Sequence, residues 1–449
     1  MSVGKLPEGW INTEIGDIAE IISGGTPKSG NSSNFAPTGE GIAWLTPADL
    51  SGYKKKCIAR GARDLSIDGY SSCSAKLMPA GAILFSSRAP IGYVAVASNE
   101  IATNQGFKSF VFTDDIYSDY AYYYLRNIRH LAEEKGTGTT FKEISGSSAK
   151  TLPFVIAPLA EQKIIAEKLD TLLAQVDSTK ARLEQIPKIL KRFRQAVLSH
   201  FVISDLQEPK VKLIELTSKI GSGSTPKGGN DNYKTEGIPF VRSLNIHTHF
   251  IKYEDLAYID EEQAKKLNNV IIHEKDVLLN ITGASIGRVN IAPDSFIGGR
   301  VNQHVAIIRC QQSKILPEYL HVYMASPHIQ KWIQGENYGA TRQALTKKML
   351  EELPIFVPSV KRQDEIVRLV EQLFAYADTI EKQVNNALAR VNNLTQSILA
   401  KAFRGELTAQ WRAENPELTS GENSAAALLE KIKAERAAST GKKASRKKS

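Results

Sequence analysis

The chain has 449 residues, 42% of them hydrophobic and 23% charged, with a formal net charge of +9 at pH 7. That length and apolar content suit roughly two to four domains with real cores. No apolar run approaches the roughly 18 residues of a membrane helix, and "MSVGKLPEGW" lacks the apolar stretch of a signal peptide, so the expectation is a soluble, cytoplasmic protein with no membrane partner.

Cys57, Cys73 and Cys310 are odd in number, far apart and form no CxxC pair. They are expected to be buried free thiols in a reducing compartment, neither staples nor zinc ligands. The positive excess suits a polyanionic partner, although five of the basic residues sit in the tail "GKKASRKKS".

Along the chain, the first distinctive stretch is SGGTPKSGN at Ser23 to Asn31, and SGSTPKGGN returns at Ser222 to Asn230. A phosphate-binding P-loop needs GxxxxGK followed by Ser or Thr, so that backbone N–H groups and the lysine surround the phosphates. Here Gly25 to Gly30 is followed by Asn31, and Gly223 to Gly228 by Gly229. Pro27 and Pro226 also delete a backbone donor from each loop. Both loops therefore read as tight turns in a duplicated domain.

The duplication continues. SSRAPIGYVAVA (Ser86 to Ala97) matches ITGASIGRVNIA (Ile281 to Ala292), and NQGFKSFVF from Asn104 matches NQHVAIIRC from Asn302. GTGTTFKEISGSSAKTLPFVIAPL then pairs with NYGATRQALTKKMLEELPIFVPSV. The offset drifts from 199 to 195 and settles at 201, the mark of loop insertions on a shared framework. Within each repeat, β-branched and aromatic runs predict strands at Ala82 to Phe85, Tyr93 to Ala97 and Phe107 to Phe112, and at Val277 to Asn280, Arg288 to Ile291 and Val305 to Arg309. One helical stretch follows in each, YSDYAYYYLRNIRHLAEE and LPEYLHVYMASPHIQKWI. The spacing of Tyr120 to Tyr124 favours core packing over a stacking platform.

Each repeat ends in a long helix. Ile165, Leu169, Leu172, Val176, Thr179, Leu183, Ile186, Leu190, Phe193 and Val197 keep alternating 4,3 spacing. Adding 201 gives Ile366, Val370, Leu373, Ala377, Ile380, Val384, Ala387, Val391, Leu394 and Ile398. Only Thr179 interrupts this apolar seam, which predicts a helix–helix coiled coil. Pro158 and Pro358 stand near the two starts, and Pro187 predicts a kink in the first helix.

Antiparallel pairing would put the repeats at opposite ends of a rod, about a pseudo-twofold axis. The seam from Ile165 to Val197 is ~48 Å long. At ~3.4 Å per base pair, the repeats would touch DNA roughly one to one and a half helical turns apart. The expected fold class is α+β: two similar mixed α/β domains separated by two long antiparallel helices. The expected boundaries are 1–157 for the first domain, 158–200 for the central helix, 201–357 for the second domain, 358–404 for the second helix and 405–449 for a segment with a basic tail.

LPFVIAPLAEQKIIAEKLDTLLAQVD, LPIFVPSVKRQDEIVRLVEQLFAYADTIEKQV and the closing ILAKAFRGELTAQW resemble the specificity subunits of type I restriction–modification enzymes, in wording close to the type IA group. The resemblance covers nearly the whole chain. It implies two target-recognition domains, each reading one half of an asymmetric bipartite double-stranded DNA sequence, and helices that fix the unread gap. It further implies a non-catalytic chain that positions two modification (methyltransferase) subunits and recruits two ATP-dependent restriction subunits. S-adenosylmethionine, ATP and Mg are expected on those partners, and no cofactor in this chain.

The residues agree with that expectation. No Asn/Asp-Pro-Pro-aromatic methyltransferase motif is present; Asn415-Pro416-Glu417 is the nearest and does not fit. His247 and His249 in NIHTHF form a close pair with no acid cluster at ligand spacing, so they read as part of a strand or loop. No catalytic or metal-binding residue is expected.

Base reading calls for Arg, Lys, Asn, Gln, Ser or Thr on loops. The candidates in the first repeat are Lys28, Ser87, Arg88, Asn104, Gln105, Lys108, Thr139, Thr140 and Lys142. In the second they are Lys227, Arg242, Asn245, Thr282, Arg288, Arg300, Asn302, Gln303 and Arg342. The repeated positions Lys28/Lys227, Asn104/Asn302 and Gln105/Gln303 suit phosphate contacts or framework turns better than base readout, because readers of different words would not share them. Two other classes stay open: a coiled-coil scaffold whose duplicated domains bind only proteins, and a self-contained methyltransferase.

Overall fold

The computed structural model describes residues 6–138, 142–203, 210–225, 233–336 and 344–446. The chain forms two compact units, Met1–Arg182 with Leu388–Ser449, and Leu183–Ala387.

In the first unit a five-stranded sheet runs in the order Ala19–Ser23, Lys108–Phe112, Ile83–Phe85, Val94–Ala97, Cys57–Ile58. Neighbours are antiparallel except the last pair. The unbroken apolar run of its central strand is explained by cover on both faces. Ile83 and Phe85 join a core with the tyrosine-bearing helix and the long helices, whereas Leu84 joins a second core with Leu45, Ala95 and Phe107. Tyr120, Tyr122, Tyr123 and Tyr124 are all buried. The Tyr120 hydroxyl donates to the Val155 carbonyl at 2.7 Å, and Tyr124 packs 4.5 Å from Phe154 and 5.0 Å from Phe403. They are core residues, as their spacing required.

The second unit repeats this plan in the order Thr217–Ser222, Val305–Cys310, Val277–Asn280, Val289–Ile291. Val277 and Leu279 face the core of the long helices, and Leu278 faces a second core with Phe240 and Val301. A parallel pair beside each main sheet is also repeated, Trp44–Leu45 with Ala102–Thr103 and Ile238–Val241 with Arg300–Val301. In the second unit Ala257–Ile259 extends that pair into a third strand. Each single helical stretch expected after the sheet is two helices: Ser118–Asn127 and Arg129–Glu134, then Pro317–Ala325 and Pro327–Glu336. In the second unit Pro327 has no N–H to continue the preceding helix, which accounts for that break.

Two long helices, Leu159–Ile203 and Val360–Phe403, contribute to both units. In the first unit Ile165, Leu169, Leu173 and Val176 share a core with Ile398, Leu399, Ala402 and Phe403. In the second, Val197 and Leu198 share a core with Ile366, Val367 and Val370, and Arg194 bonds Asp378 and Glu381. Early residues of one helix thus meet late residues of the other, so the pairing within each unit is antiparallel. The first helix is continuous through Pro187, which is exposed.

Burial along the seam differs from a strict heptad reading. Leu173 is buried while Leu172, like Leu373 and Val391, is only partly covered against the same cores. The sheets widen the covered stripe beyond the a and d positions, as in globular helices. Leu190 and Val384 are buried, Leu183 and Ile380 half-buried, and Leu394 is 45% exposed. An untwisted helix drifts about 20° per heptad from a 3.5 repeat, enough to carry a late seam residue off the covered stripe.

Both helices start with the same anchor. Gln162 donates to the Ala157 carbonyl and accepts from the Tyr117 amide, both at 2.9 Å. Gln363, 201 residues on, donates to Pro358 and Lys314 carbonyls at 2.9 Å and accepts from the Leu316 amide at 2.8 Å. The segment after the second helix folds back in the first unit. Fully buried Glu161 accepts from Trp10 Nε1 and Thr408 Oγ1, both at 2.7 Å, and from Arg412. A final helix, Ala425–Arg446, buries Ala425, Leu429 and Ile432 in the same core.

The three thiols are free, but the expected burial is not found: Cys57 is exposed, and Cys73 and Cys310 are intermediate. Cys57 lies on the edge strand of its sheet, where one side has no strand neighbour among the described residues.

Candidate nucleic-acid interface

The two glycine-rich loops are held by the Asn-Gln turns. The Thr26 hydroxyl donates to the Gln105 side-chain carbonyl, and Thr225 does the same to Gln303. The Gly25 amide donates to the Thr103 carbonyl at 2.9 Å, and the Gly223 amide to Asn302 at 3.1 Å. A Cβ on Gly24 would stand 2.0 Å from the Asn104 carbonyl oxygen, and one on Gly223 1.7 Å from that of Val301. Only glycine admits so close a backbone.

The asparagines close their own turns: Asn104 Oδ1 accepts from the Gly106 amide at 2.9 Å, and Asn302 Oδ1 from the His304 amide at 3.0 Å. The Oδ1 atoms of Asn104 and Asn302 and the side-chain carbonyls of Gln105 and Gln303 are therefore spent on the framework. The Gln105 and Gln303 side chains remain exposed.

In the first unit Lys28 and Lys142 are exposed, and Thr139 and Thr140 lie outside the described residues. Arg88 and Lys108 share one acid, each 3.5 Å from a Glu143 carboxylate oxygen. Ser87 is not a surface residue. It is fully buried, its amide donates to Gly106 at 2.7 Å and its carbonyl accepts from Ile144 at 3.0 Å. It lies next to the Ile-Gly turn, where Gly92 has φ +90° and its counterpart Gly287 φ +85°, values that L side chains seldom adopt.

In the second unit Lys227 and Arg342 lie outside the described residues. Arg288 is half-buried and makes no ion pair among the described residues. Thr282 bonds His304, whose other ring nitrogen lies 3.2 Å from Gln303 Nε2. Asn245 and Arg300 are corrected to structural residues. Asn245 is fully buried, accepts from the Arg242 amide at 3.0 Å and donates to the Lys252 carbonyl at 3.0 Å. Arg300 is 7% exposed, with donors on the carbonyls of Ala264 at 3.2 Å and Gly299 at 3.2 Å and on Asn268 at 3.0 Å. Residue types that suit base edges also suit turn capping, which is why sequence could not separate the two.

Sequence reading missed a second repeated framework. Phe35 and Trp44 have ring centroids 5.9 Å apart, and Tyr233 and Phe240 5.6 Å apart. Beside each pair the same cap recurs, Thr46 N–H to Asp49 at 2.7 Å and Arg242 N–H to Asn245 at 3.0 Å. The repeated Gly-Ile-x-aromatic of GIAW and GIPF was the available signal. Among the described residues no group of three or more His, Cys, Asp or Glu is placed to hold a metal ion, and no helix is long and apolar enough to cross a membrane.

A duplicated scaffold that repeats its framework and varies its exposed edges defines a two-site recognition module. A family model described as "Type I restriction modification DNA specificity domain" matches residues 7–188 and again 209–390. The chain belongs to the family of type I restriction–modification specificity subunits, and within it resembles the type IA group. It is 48% identical over 345 residues, 70% of each chain, to the specificity subunit of the type I restriction enzyme EcoBI of Escherichia coli. It is 38% identical over the full length of both chains to the EcoKI specificity subunit of Escherichia coli K12. Among solved structures, the HsdS subunit from Thermoanaerobacter tengcongensis shares the fold, with TM-score 0.60 at 18% identity over 90% of this chain and 99% of that one.

Proposed function

We propose that this chain is the DNA-reading, non-catalytic subunit of a type I restriction–modification complex. Each unit reads one half of an asymmetric bipartite target in double-stranded DNA, and the long helices set the unread gap. The observation that carries this reading is the contrast between repeated framework and unrepeated edges. Thr26/Thr225, Gln105/Gln303 and Gln162/Gln363 keep their bonds. The Arg beside the Ile-Gly turn precedes it in one unit and follows it in the other, at Arg88 and Arg288. Two readers of different words differ in this way, whereas a duplicated protein-binding scaffold has no such need.

The relatives named as specificity subunits support the same reading. Methyl transfer to adenine and DNA cleavage belong to partner subunits: two modification subunits using S-adenosylmethionine, and two restriction subunits using ATP and Mg. Leu369 and Tyr376, one heptad apart on the second long helix, are exposed and favour protein docking there. Filter binding of the assembled complex to random duplex at two salt concentrations tests the DNA reading. Affinity should fall steeply with salt, because phosphate contacts release counterions. Salt-independent binding, or none, would leave the scaffold reading in its place.

A further inference from the structure

Arg63 lies over the Phe35 ring, its guanidinium carbon 3.8 Å from the ring centroid and 5.5 Å from that of Trp44. It is exposed and makes no hydrogen bond or ion pair among the described residues. In the second unit Arg242 lies 5.0 Å over Tyr233, the counterpart of Phe35. Its Nη2 donates to the Asp255 carbonyl, and its Nε is buried without a partner.

The two aromatic shelves are equivalent, but the arginines are not. Arg63 precedes the strand Asp64–Leu65, which pairs with Phe35–Ala36. Arg242 directly follows the strand Ile238–Val241, at the position that Thr46 holds in the first unit. A guanidinium thus reaches the same shelf from two unrelated places in the sequence. The first shelf adjoins its glycine-rich loop, Trp44 Nε1 donating to the Gly25 carbonyl at 3.1 Å; in the second unit Tyr233 follows Asn230 by three residues in the sequence.

Lying over a ring restricts a guanidinium before any ligand arrives and leaves edge N–H groups available, those of Arg63 throughout and in Arg242 those of Nη1. A planar fork held this way matches the O6 and N7 acceptors of guanine in the major groove, the commonest specific arginine contact to DNA. A purely structural arginine would fill its donors on the protein, as Arg300 does. Arg88 and Lys108 are less free, since both lean on Glu143.

We propose that Arg63 and Arg242 are specificity-determining residues, each reading a guanine in the half-site of its own unit; this rests on the DNA-reading function given above. The test uses the full chain assembled with its modification subunits. Binding is measured to the cognate duplex and to duplexes changed one base pair at a time, for wild type, Arg63→Gln, Arg63→Ala, Arg242→Gln and Arg242→Ala.

Both Arg63 variants should lose on the order of 10-fold to 100-fold preference at one G·C pair of one half-site. Arg63→Gln should shift that preference toward A·T, because Gln suits the adenine edge. The salt slope and the other half-site should be unchanged. Arg242 variants should do the same in the opposite half-site. A loss uniform across all sequences, with a salt slope shallower by about one, would assign the arginine to a phosphate and overturn the proposal. Unchanged preference at every base pair would also overturn it. A wild-type complex that prefers no sequence would instead overturn the DNA-reading function itself.

Discussion

Thr26 and Gln105, 79 residues apart, are joined by a hydroxyl-to-amide hydrogen bond that fastens the glycine-rich loop to the Asn-Gln turn, and Thr225 and Gln303 repeat it. The twin loops are thus explained as framework, with the Gly25 amide spent on Thr103. Gln105→Ala should cost about 1 kcal/mol of stability in its unit. Hydrogen exchange should speed up at the Gly25 amide and leave that of Gly223 unchanged. Equal acceleration in both loops would contradict independent fastening.

Glu161 ties three segments together through Trp10, Thr408 and Arg412. Glu161→Ala leaves the half-buried Arg412 without its ion-pair partner and the buried Trp10 indole N–H without its acceptor. That should cost on the order of 3–5 kcal/mol. Limited proteolysis should then cut between Thr408 and Arg446 in the variant well before the wild type is touched. Protection of that segment in a destabilised variant would show that the core formed by Leu429 and Ile432 is sufficient to hold it.

Glu143 neutralises Arg88 and Lys108 together. Glu143→Gln should free both cations. Affinity for random duplex should rise severalfold at low salt, with a salt slope steeper by about one to two. An unchanged slope would remove Arg88 and Lys108 from the phosphate-facing surface.

Burial pushes the Cys310 thiol up to about 12. The thiolate is the reactive form, so at pH 8 only about one Cys310 in ten thousand is reactive. A thiol reagent at that pH should modify exposed Cys57 first and Cys310 only after denaturation, as read by peptide mass analysis. Modification of Cys310 at the rate of Cys57 in the native chain would contradict the raised pKa that its partial burial imposes.

The duplication was legible in the sequence because residues such as Gly24/Gly223 and Thr26/Thr225 answer to backbone geometry, which does not vary with the word being read. The long helices were legible through their period. Leu173 was missed because a 3.5 repeat does not show where a sheet widens the covered face. Gln162 and Gln363 escaped notice because a glutamine on a charged helix looks like surface until its carbonyl partners are seen. Ser87, Asn245 and Arg300 were misassigned because capping and base reading recruit the same side chains. Arg63 was invisible to a search for repeats, since its counterpart on the shelf comes from another position.

If each unit reads its own word and the long helices set the gap, methylated adenines mapped across the genome of a host carrying the full complex will show it. The wild-type chain should give one asymmetric motif of two short words around an unread gap. Inserting four residues, about one helical turn, after Val176 or at the equivalent Ala377 should lengthen that gap and leave both words unchanged. A continuous motif, or altered words at an unchanged gap, would contradict the account.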